Sequence, residues 1–337
     1  AAGPLQWSEM DSAAELERLV FLPFLTPRFP RHPQQSVPLR LSYENLLHHV
    51  NLALQERGRL LDELFAYPQV LGMSAVRMLP DNIGPYVAHS YNIDILLRLG
   101  HVNEAERVAC EVLANIGPRP WLLQRLVMIY VLKDEPATAE VFLAALARQP
   151  GHCDWARCYQ RALADDPRLS SDPLISRVRP LLHREDFAGS YVGVNPDEEM
   201  LLRLLHTNPY NRAAFDFLMA HHLLNLRHDQ VVRRLPLLKE FGYDRIPRHM
   251  EEAVLMHAKL TGEQPDLGQW QISPATIQRF QAFDQAIERM GGLGDHDPRP
   301  VRDALFPAFA DTYWFYCLFG NTFFEGESPM PQEERRP

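Results

Sequence analysis

The chain lacks both a concentrated positive charge and a long apolar run. Its 337 residues include 34 lysines and arginines against 43 aspartates and glutamates, which gives a net charge of -9. Nucleic acids and anionic lipid surfaces bind through concentrated positive charge, so we predict that neither is the main partner. A helix that spans a bilayer needs ~20 mostly apolar residues, and no stretch of this sequence reaches that length.

Motifs for nucleotide, cofactor and metal binding are also missing. The chain has no phosphate loop, dinucleotide fingerprint or nucleophile elbow. Its glycine-rich stretch, 291–294, follows a predicted helix, so it lacks the helix N-terminal amides that bind phosphate. The cysteines fit no zinc or disulfide spacing and are predicted to be free, buried thiols; they are Cys110, Cys153, Cys158 and Cys317. We therefore predict no catalytic residue, no cofactor and no metal site.

Two pairs of adjacent histidines are candidate metal ligands, because imidazole is a common ligand. They lie at 48–49 and 221–222. Neighbouring residues of a helix point about 100° apart, so such a pair does not readily chelate one ion. We expect these side chains to be hydrogen-bonded or exposed, and we predict that His257 is a hydrogen-bonded core residue.

Adjacent carboxylates occur at 165–166 and 251–252. A glycoside hydrolase needs two carboxylates that face each other across a cleft. Nothing in the sequence selects such a pair, and interaction with helix dipoles or exposure at the surface explains the charges. We therefore expect these four residues to be structural.

Helical periodicity dominates what the sequence does contain. Apolar residues recur at helical spacing, and caps or breakers interrupt them every ~10–20 residues. Alternating strand patterns are nearly absent, so the predicted fold class is all-α. Ala105 and Ala139 occupy matching helical contexts 34 residues apart, and Trp121 and Trp155 have the same separation. A repeated pair of helices has this period.

The 34-residue register resembles that of tetratricopeptide repeats (TPR) over about residues 86–165. Gly100 and Ala105 match the glycine and alanine of that motif, whereas Asp134 replaces the glycine in the next unit. The resemblance implies antiparallel helix pairs stacked as a TPR-like α-solenoid, with a concave groove lined by the first helix of each pair. The predicted groove residues are Tyr91, Asn92, Gln124 and Tyr130.

Five stretches are similar to an uncharacterised bacterial family whose members carry a multi-spanning membrane region followed by a helical-repeat region. The stretches are RLLDELFAYPQ (59–69), NPYNRAAFDFLMAHHLL (208–224), LPLLKEFGYDRIPRHMEEAVLMHA (235–258), ISPATIQRFQAF (272–283) and DTYWFYCLF (311–319). The resemblance implies that the chain is the soluble C-terminal part of a longer membrane protein. It does not determine the side of the membrane, and it supplies no catalytic residue.

The predicted organisation has five segments. They are an extended proline-rich arm (1–40), TPR-like helical repeats (41–165), a connector (166–196), a second helical-repeat region (197–290), and a linker with an aromatic C-terminal helix and a tail (291–337). Within the arm, a short helix is predicted at 13–21.

The aromatic run near the C-terminus allows two interpretations. Consecutive aromatic residues can form the hydrophobic cap that seals a terminal helix pair. They can instead dock a partner or a membrane interface, where tyrosine and tryptophan are favoured. The residues predicted for docking are Tyr313, Trp314, Tyr316 and Phe319.

The function predicted from these patterns is a non-enzymatic interaction or scaffold module with a protein or peptide partner. The motivating pattern is a helix-pair register without a catalytic set. An alternative is a helical-toroid enzyme or sugar-binding domain, which would gather histidine and carboxylate side chains in one deep pocket. A third possibility is a purely structural domain that supports a membrane region.

Overall fold

The computed structural model describes residues 37–67, 69, 86–183, 196–292 and 297–320. Side chains are described from residue 47 in the first helix, from residue 92 in the helix that begins at Tyr86, and from residue 197 in the helix that begins at Pro196. Residues 1–36 of the predicted proline-rich arm, with its short helix, and the predicted polar tail lie outside these ranges. The prediction that the extended arm reaches residue 40 is wrong, because the first helix already begins at Val37. Within them no strand forms, which confirms the all-α prediction.

Fifteen α-helices form in the described ranges: α1 Val37–Glu56, α2 Leu60–Glu63, α3 Tyr86–Arg98, α4 Val102–Ile116, α5 Pro120–Leu132, α6 Pro136–Leu146, α7 Cys153–Asp165, α8 Pro173–Val178, α9 Pro196–Thr207, α10 Arg212–Leu224, α11 His228–Arg233, α12 Arg248–Thr261, α13 Pro274–Arg289, α14 Arg299–Phe309 and α15 Tyr313–Phe319. Short 3-10 turns continue α2, α8 and α11 at Leu64–Ala66, Arg179–Leu181 and Leu235–Lys239. Helix α14 was not predicted.

The chain divides into two compact units. Of the described residues, 48–56, 86–183 and 196–218 belong to the first unit, and 37–47, 57–67, 69, 219–292 and 297–320 belong to the second. The boundary falls inside α1 and inside α10. Because each unit is discontinuous in sequence, the predicted division into five consecutive segments stays a prediction.

The first unit contains the helix pairs α3/α4 and α5/α6. Helix α5 packs on both helices of the first pair, α7 packs on α6, and α8 packs on α3 and α5. Ala105 and Ala139, the alanines of the 34-residue register, are completely buried on α4 and α6. Their small side chains permit the close approach of neighbouring helices.

The repeat register is also visible in the backbone turns within these two pairs. Gly100 and Asp134 both have a left-handed backbone, with φ of 80° and 62°. After each of them, an amide donates to a carbonyl of the preceding helix; the two bonds are His101 N to Leu96 O (2.9 Å) and Glu135 N to Tyr130 O (2.8 Å). The same helix-ending geometry therefore recurs after 34 residues, although the residue type has changed from glycine to aspartate.

The second unit is built around α12. This helix packs against α2, α11, α13 and α15. Its first turn begins where the amide of Arg248 donates to the Asp62 carboxylate of α2 (2.8 Å), and the same carboxylate accepts from Arg245 (3.0 Å). The helix ends at Gly262, whose left-handed φ of 73° fits the residue after a helix.

Candidate functional site

The structure distributes the four predicted groove residues over different environments. The side chain of Tyr91 lies outside the described residues, and Asn92 is buried. Gln124 and Tyr130 are half-buried on α5. Six residues separate them, so their directions differ by about 120° around the helix. They therefore do not line one face of α5, and the groove stays a prediction.

Tyr130 lies in a polar cluster formed with α4 and α6. Its ring stacks on Phe142 with centroids 5.4 Å apart and planes at 10°. Burial and a hydrogen bond with Glu106 raise the pKa of its hydroxyl. Glu106 also forms an ion pair with Lys133. The Tyr130 hydroxyl therefore acts as a donor within the fold.

The aromatic run of α15 lies mostly in the interior of the second unit. Tyr313, Trp314 and Phe319 are fully buried, and Trp314 packs against Phe280 with ring centroids 5.1 Å apart. Tyr316 is half-buried, and its hydroxyl donates to the carbonyl of Leu224 (3.1 Å). This burial is what the capping interpretation requires, and it leaves three of the four predicted docking residues without exposed surface.

A buried carboxylate, Glu252, joins the helices of the second unit. It is 1% exposed and accepts three hydrogen bonds: from Arg248 Nε (2.9 Å), from His249 Nδ1 (2.8 Å) and from the amide of Tyr313 (2.7 Å). His249 Nε2 accepts the amide of Phe65 at 3.3 Å, so the ring proton that reaches Glu252 lies on Nδ1. The histidine thus links α12 to the turn after α2.

The neighbouring carboxylate, Glu251, is also buried but has separate partners. It accepts from the amide of Ser273 (2.9 Å) and from the hydroxyl of Thr276 (2.5 Å), at the start of α13. The two adjacent glutamates therefore diverge, and they do not face each other as a hydrolytic pair must. They are structural, as expected, and Glu251 lies in the first turn of α12, but neither is exposed, because other helices surround this face of α12.

Asp311 completes the charged network of this unit. Its carboxylate accepts from Arg248 Nη2 (2.9 Å) and from Arg279 Nη2 (2.6 Å). Burial alone would raise the pKa of Asp311, but the hydrogen bonds and charges of the two arginines outweigh it and lower the pKa to about 2. Asp311 is therefore ionised at neutral pH and ties α12 to α13.

The first unit contains a second buried ion pair, between Asp94 of α3 and Arg125 of α5. The guanidinium binds both carboxylate oxygens, and Nη2 lies 2.9 Å from Oδ2. Burial would raise the pKa of Asp94, but the charge and hydrogen bonds of Arg125 outweigh it and lower the pKa to about 2. Arg98 pairs with Glu56 beside it. Burial lowers the pKa of the neighbouring His49.

The carboxylates at 165–166 have a local structural role, as expected. Asp166 accepts from the amides of Arg168 (3.0 Å) and Ser170 (2.6 Å) and so closes the turn after α7. Asp165 is exposed at the end of that helix.

Of the adjacent histidines at 221–222, His222 differs from expectation. Both are fully buried on α10, with their rings edge to face at 5.8 Å. Neither ring nitrogen of His222 has a hydrogen-bond partner among the described residues, so this histidine is neither hydrogen-bonded nor exposed. Burial and the nearby Arg234 charge lower its pKa to about 3, which keeps the ring neutral.

The cysteines are free, as predicted, but their predicted burial is wrong. Cys110 and Cys158 are exposed, whereas Cys153 and Cys317 are half-buried. Burial raises the pKa of Cys317 to about 12, so its thiol is not a ready nucleophile. In the described ranges, no group of three or more histidine, cysteine or acidic side chains has the arrangement of a metal site.

One of the two charge networks has a sequence signal that was missed. Arg125 is the single charged residue within the apolar helix PWLLQRLVMIYVL, and a charge in a buried helix requires a partner. The partners around Arg248 have no comparable signal, because Asp311 follows it by 63 residues. In both units, the carboxylates of the network accept hydrogen bonds from donors of the same chain.

The comparisons with known proteins identify a family without an assigned activity. The model of a family of unknown function (DUF6057) matches residues 40–320. No curated protein and no solved structure matches the chain. In the part of the chain that the structure describes, no helix is both long enough and apolar enough to cross a bilayer.

Proposed function

For this chain, which belongs to the family of unknown function DUF6057, we propose a non-enzymatic role as a helical protein-interaction or scaffold module. The observation that carries the proposal is the state of the carboxylates in its two charge networks. General acid–base catalysis works best when the pKa of the catalytic group lies near the working pH. The pKa values of Asp94 and Asp311 lie at about 2, and both carboxylates are engaged by arginines.

The other buried acids support the same proposal. Glu251 and Glu252 accept hydrogen bonds from the helices around them and diverge from α12. Charges arranged in this way fix helix positions. A helical framework fixed in this manner suits the presentation of a constant surface to a protein or peptide partner.

Site-specific photo-crosslinking in the native host tests the proposal. A photoreactive amino acid at position 124 samples the predicted groove, and the same amino acid at Glu140, an exposed position on α6, provides the matched control. We expect a discrete protein or peptide to crosslink from position 124 but not from position 140. The captured partner, once purified, should bind the purified chain, and Gln124→Arg should weaken that binding.

Two results would contradict the interaction role. One is the absence of any crosslinked protein at either position, combined with a hydrolytic activity of the purified chain. Such an activity would favour the enzyme alternative. The other is a captured protein whose binding to the purified chain is unchanged by Gln124→Arg, because the predicted groove would then not be the contact.

The proposed location is beside a membrane, as one part of a longer protein. The support is the similarity of the five quoted stretches to a family with a preceding multi-spanning region.

A further inference from the structure

Two histidines from neighbouring helices of the second unit face each other. His228 begins α11, and His257 lies in the second half of α12, against which α11 packs. Their ring centroids are 5.7 Å apart and the ring planes are inclined at 60°. Both side chains are half-buried, so solvent reaches part of the pair. These residues belong to neither of the charge networks described above.

The ring nitrogens of this pair lack the partners that a structural histidine has. Nδ1 of His228 and Nδ1 of His257 are both buried, and neither has a hydrogen-bond partner. The prediction that His257 is hydrogen-bonded is therefore wrong. A buried polar atom without a partner destabilises the fold, so two such atoms in neighbouring rings require an explanation.

The geometry fits a shared ion. An imidazole nitrogen binds a first-row transition ion at ~2.0–2.1 Å. Two imidazoles on one ion then have ring centres roughly 5–6 Å apart at the usual bond angles. The observed separation is 5.7 Å. Direct hydrogen bonding between the rings is absent, so the nitrogens remain available to an ion.

A neighbouring negative charge also favours the binding of a cation. The Asp229 carboxylate, next to His228 in sequence, acts electrostatically on the His228 ring. The negative charge of Asp229 then attracts the ion.

We propose that His228 and His257 form a two-histidine site for a divalent first-row transition ion of the Zn²⁺, Ni²⁺ or Cu²⁺ class. One nitrogen of each ring binds the ion, and water fills the remaining positions. The bound ion joins α11 to α12 and so stabilises the second unit. This proposal does not rest on the proposed interaction role.

Calorimetric titration of the chain, purified without a histidine tag, tests the site. Ni²⁺ is the first probe and Zn²⁺ the second, because imidazole suits both ions. His228→Ala and His257→Ala are each compared with His206→Ala, which removes an exposed histidine of α9. Loss of an outer-shell partner already weakens metal affinity by about 10–100-fold. We therefore expect each ligand variant to weaken Ni²⁺ binding at least tenfold, while His206→Ala leaves it within about twofold.

A double variant distinguishes one shared ion from two independent histidines. If both rings bind the same ion, the double variant loses no more binding than either single variant, because each loss already removes the chelate. The proposal would be overturned if the losses of binding in the two single variants add in the double variant. It would also be overturned if the titration of the wild-type chain shows no binding event that both variants remove. His257→Gln, with its helical content checked by circular dichroism, replaces His257→Ala if the alanine variant does not fold.

Discussion

At the scale of single residues, the most informative groups are charges held inside the helices. Asp94 is an acid with both oxygens bound by Arg125. An isolated ion in this position would be strongly destabilising, whereas the pair is tolerated because each charge satisfies the other. Removal of one partner therefore has a larger effect than the pair's net contribution to stability.

The Asp94 pair predicts how stability changes with acid. The pKa of Asp94 is lowered from 3.8 to about 2 in the folded chain, so the folded state favours the ionised form. The resulting stabilisation is present above the unfolded pKa and is lost as the pH falls from about 4 to 2. This contribution to the free energy of unfolding amounts to about 2 kcal/mol. Asp94→Asn should remove this part of the pH dependence, as measured by denaturant unfolding at pH 7 and at successively lower pH.

The same variant should be destabilised at neutral pH by about 3–5 kcal/mol, because Arg125 is left buried without its counter-charge. Asp154→Asn is the control, since Asp154 is fully exposed and its ion pair with Arg157 spans 3.9 Å. Exposed pairs contribute about 0–1 kcal/mol. An Asp94→Asn variant with the wild-type acid profile would contradict the lowered pKa.

Residue identity alone carries a signal for part of this site, although the sequence analysis did not use it. Arg125 interrupts an apolar helix, and that position could have indicated a buried ion pair. The partner could not be named, because Asp94 is one of many acids on other helices. Local patterns also missed the pairing of His228 with His257, since neither lies in a metal motif and their proximity depends on the packing of α11 on α12.

At the scale of elements, two helix starts show a clear local signal. Ser273 caps α13, its side chain accepting the amide of Thr276, and Pro136 begins α6. These signals are local, so the surrounding fold does not alter them. Helix α14 was missed because it contains Pro300 and Pro307. Pro300 occupies the first turn, where an amide is not needed, and Pro307 lies close to the C-terminal end.

The turn at Gly100 predicts a specific sensitivity of the first helix pair. A Cβ at this position would lie 2.3 Å from the carbonyl oxygen of Leu181, in the 3-10 turn after α8. Gly100→Ala must therefore displace that turn and also strain a backbone with φ of 80°. We expect a loss of about 2–4 kcal/mol in unfolding free energy.

Gly262→Ala is the control for this substitution. Gly262 also follows a helix with a left-handed backbone, with φ of 73°, but a Cβ there meets open space. The control should cost only the backbone strain of about 1–2 kcal/mol. Chemical denaturation measures the unfolding free energy of both variants. Equal losses of unfolding free energy would show that the contact with Leu181 does not contribute to the effect of Gly100→Ala.

At the scale of the whole molecule, the sequence pattern predicted the fold class but did not establish the function. Helical periodicity and the 34-residue register indicated an all-α chain, and the register recurs in the turns at Gly100 and Asp134. The aromatic run left two roles open, and its burial depends on contacts with residues such as Phe280 that are distant in sequence. Such contacts have no local signature.

The net charge of -9 makes the membrane proposal testable. A chain with an excess of acids is not expected to bind anionic lipid through surface charge. If the natural protein lies beside a membrane as part of a longer polypeptide, it should stay in the membrane fraction through concentrated salt and leave it only in detergent. Antibody detection after fractionation measures this. Release by salt, or recovery in the supernatant without treatment, would contradict the proposal.

The adjacent glutamates of α12 have a consequence for the alignment of that helix. A slip of one residue would move α12 by about 1.5 Å and rotate it by about 100°. Glu251 would leave Ser273 and Thr276, and Glu252 would leave the amide of Tyr313, in the same step. Because the two side chains point about 100° apart and are held by different elements, α12 has a single permitted register, and an insertion or deletion within it cannot be absorbed by sliding.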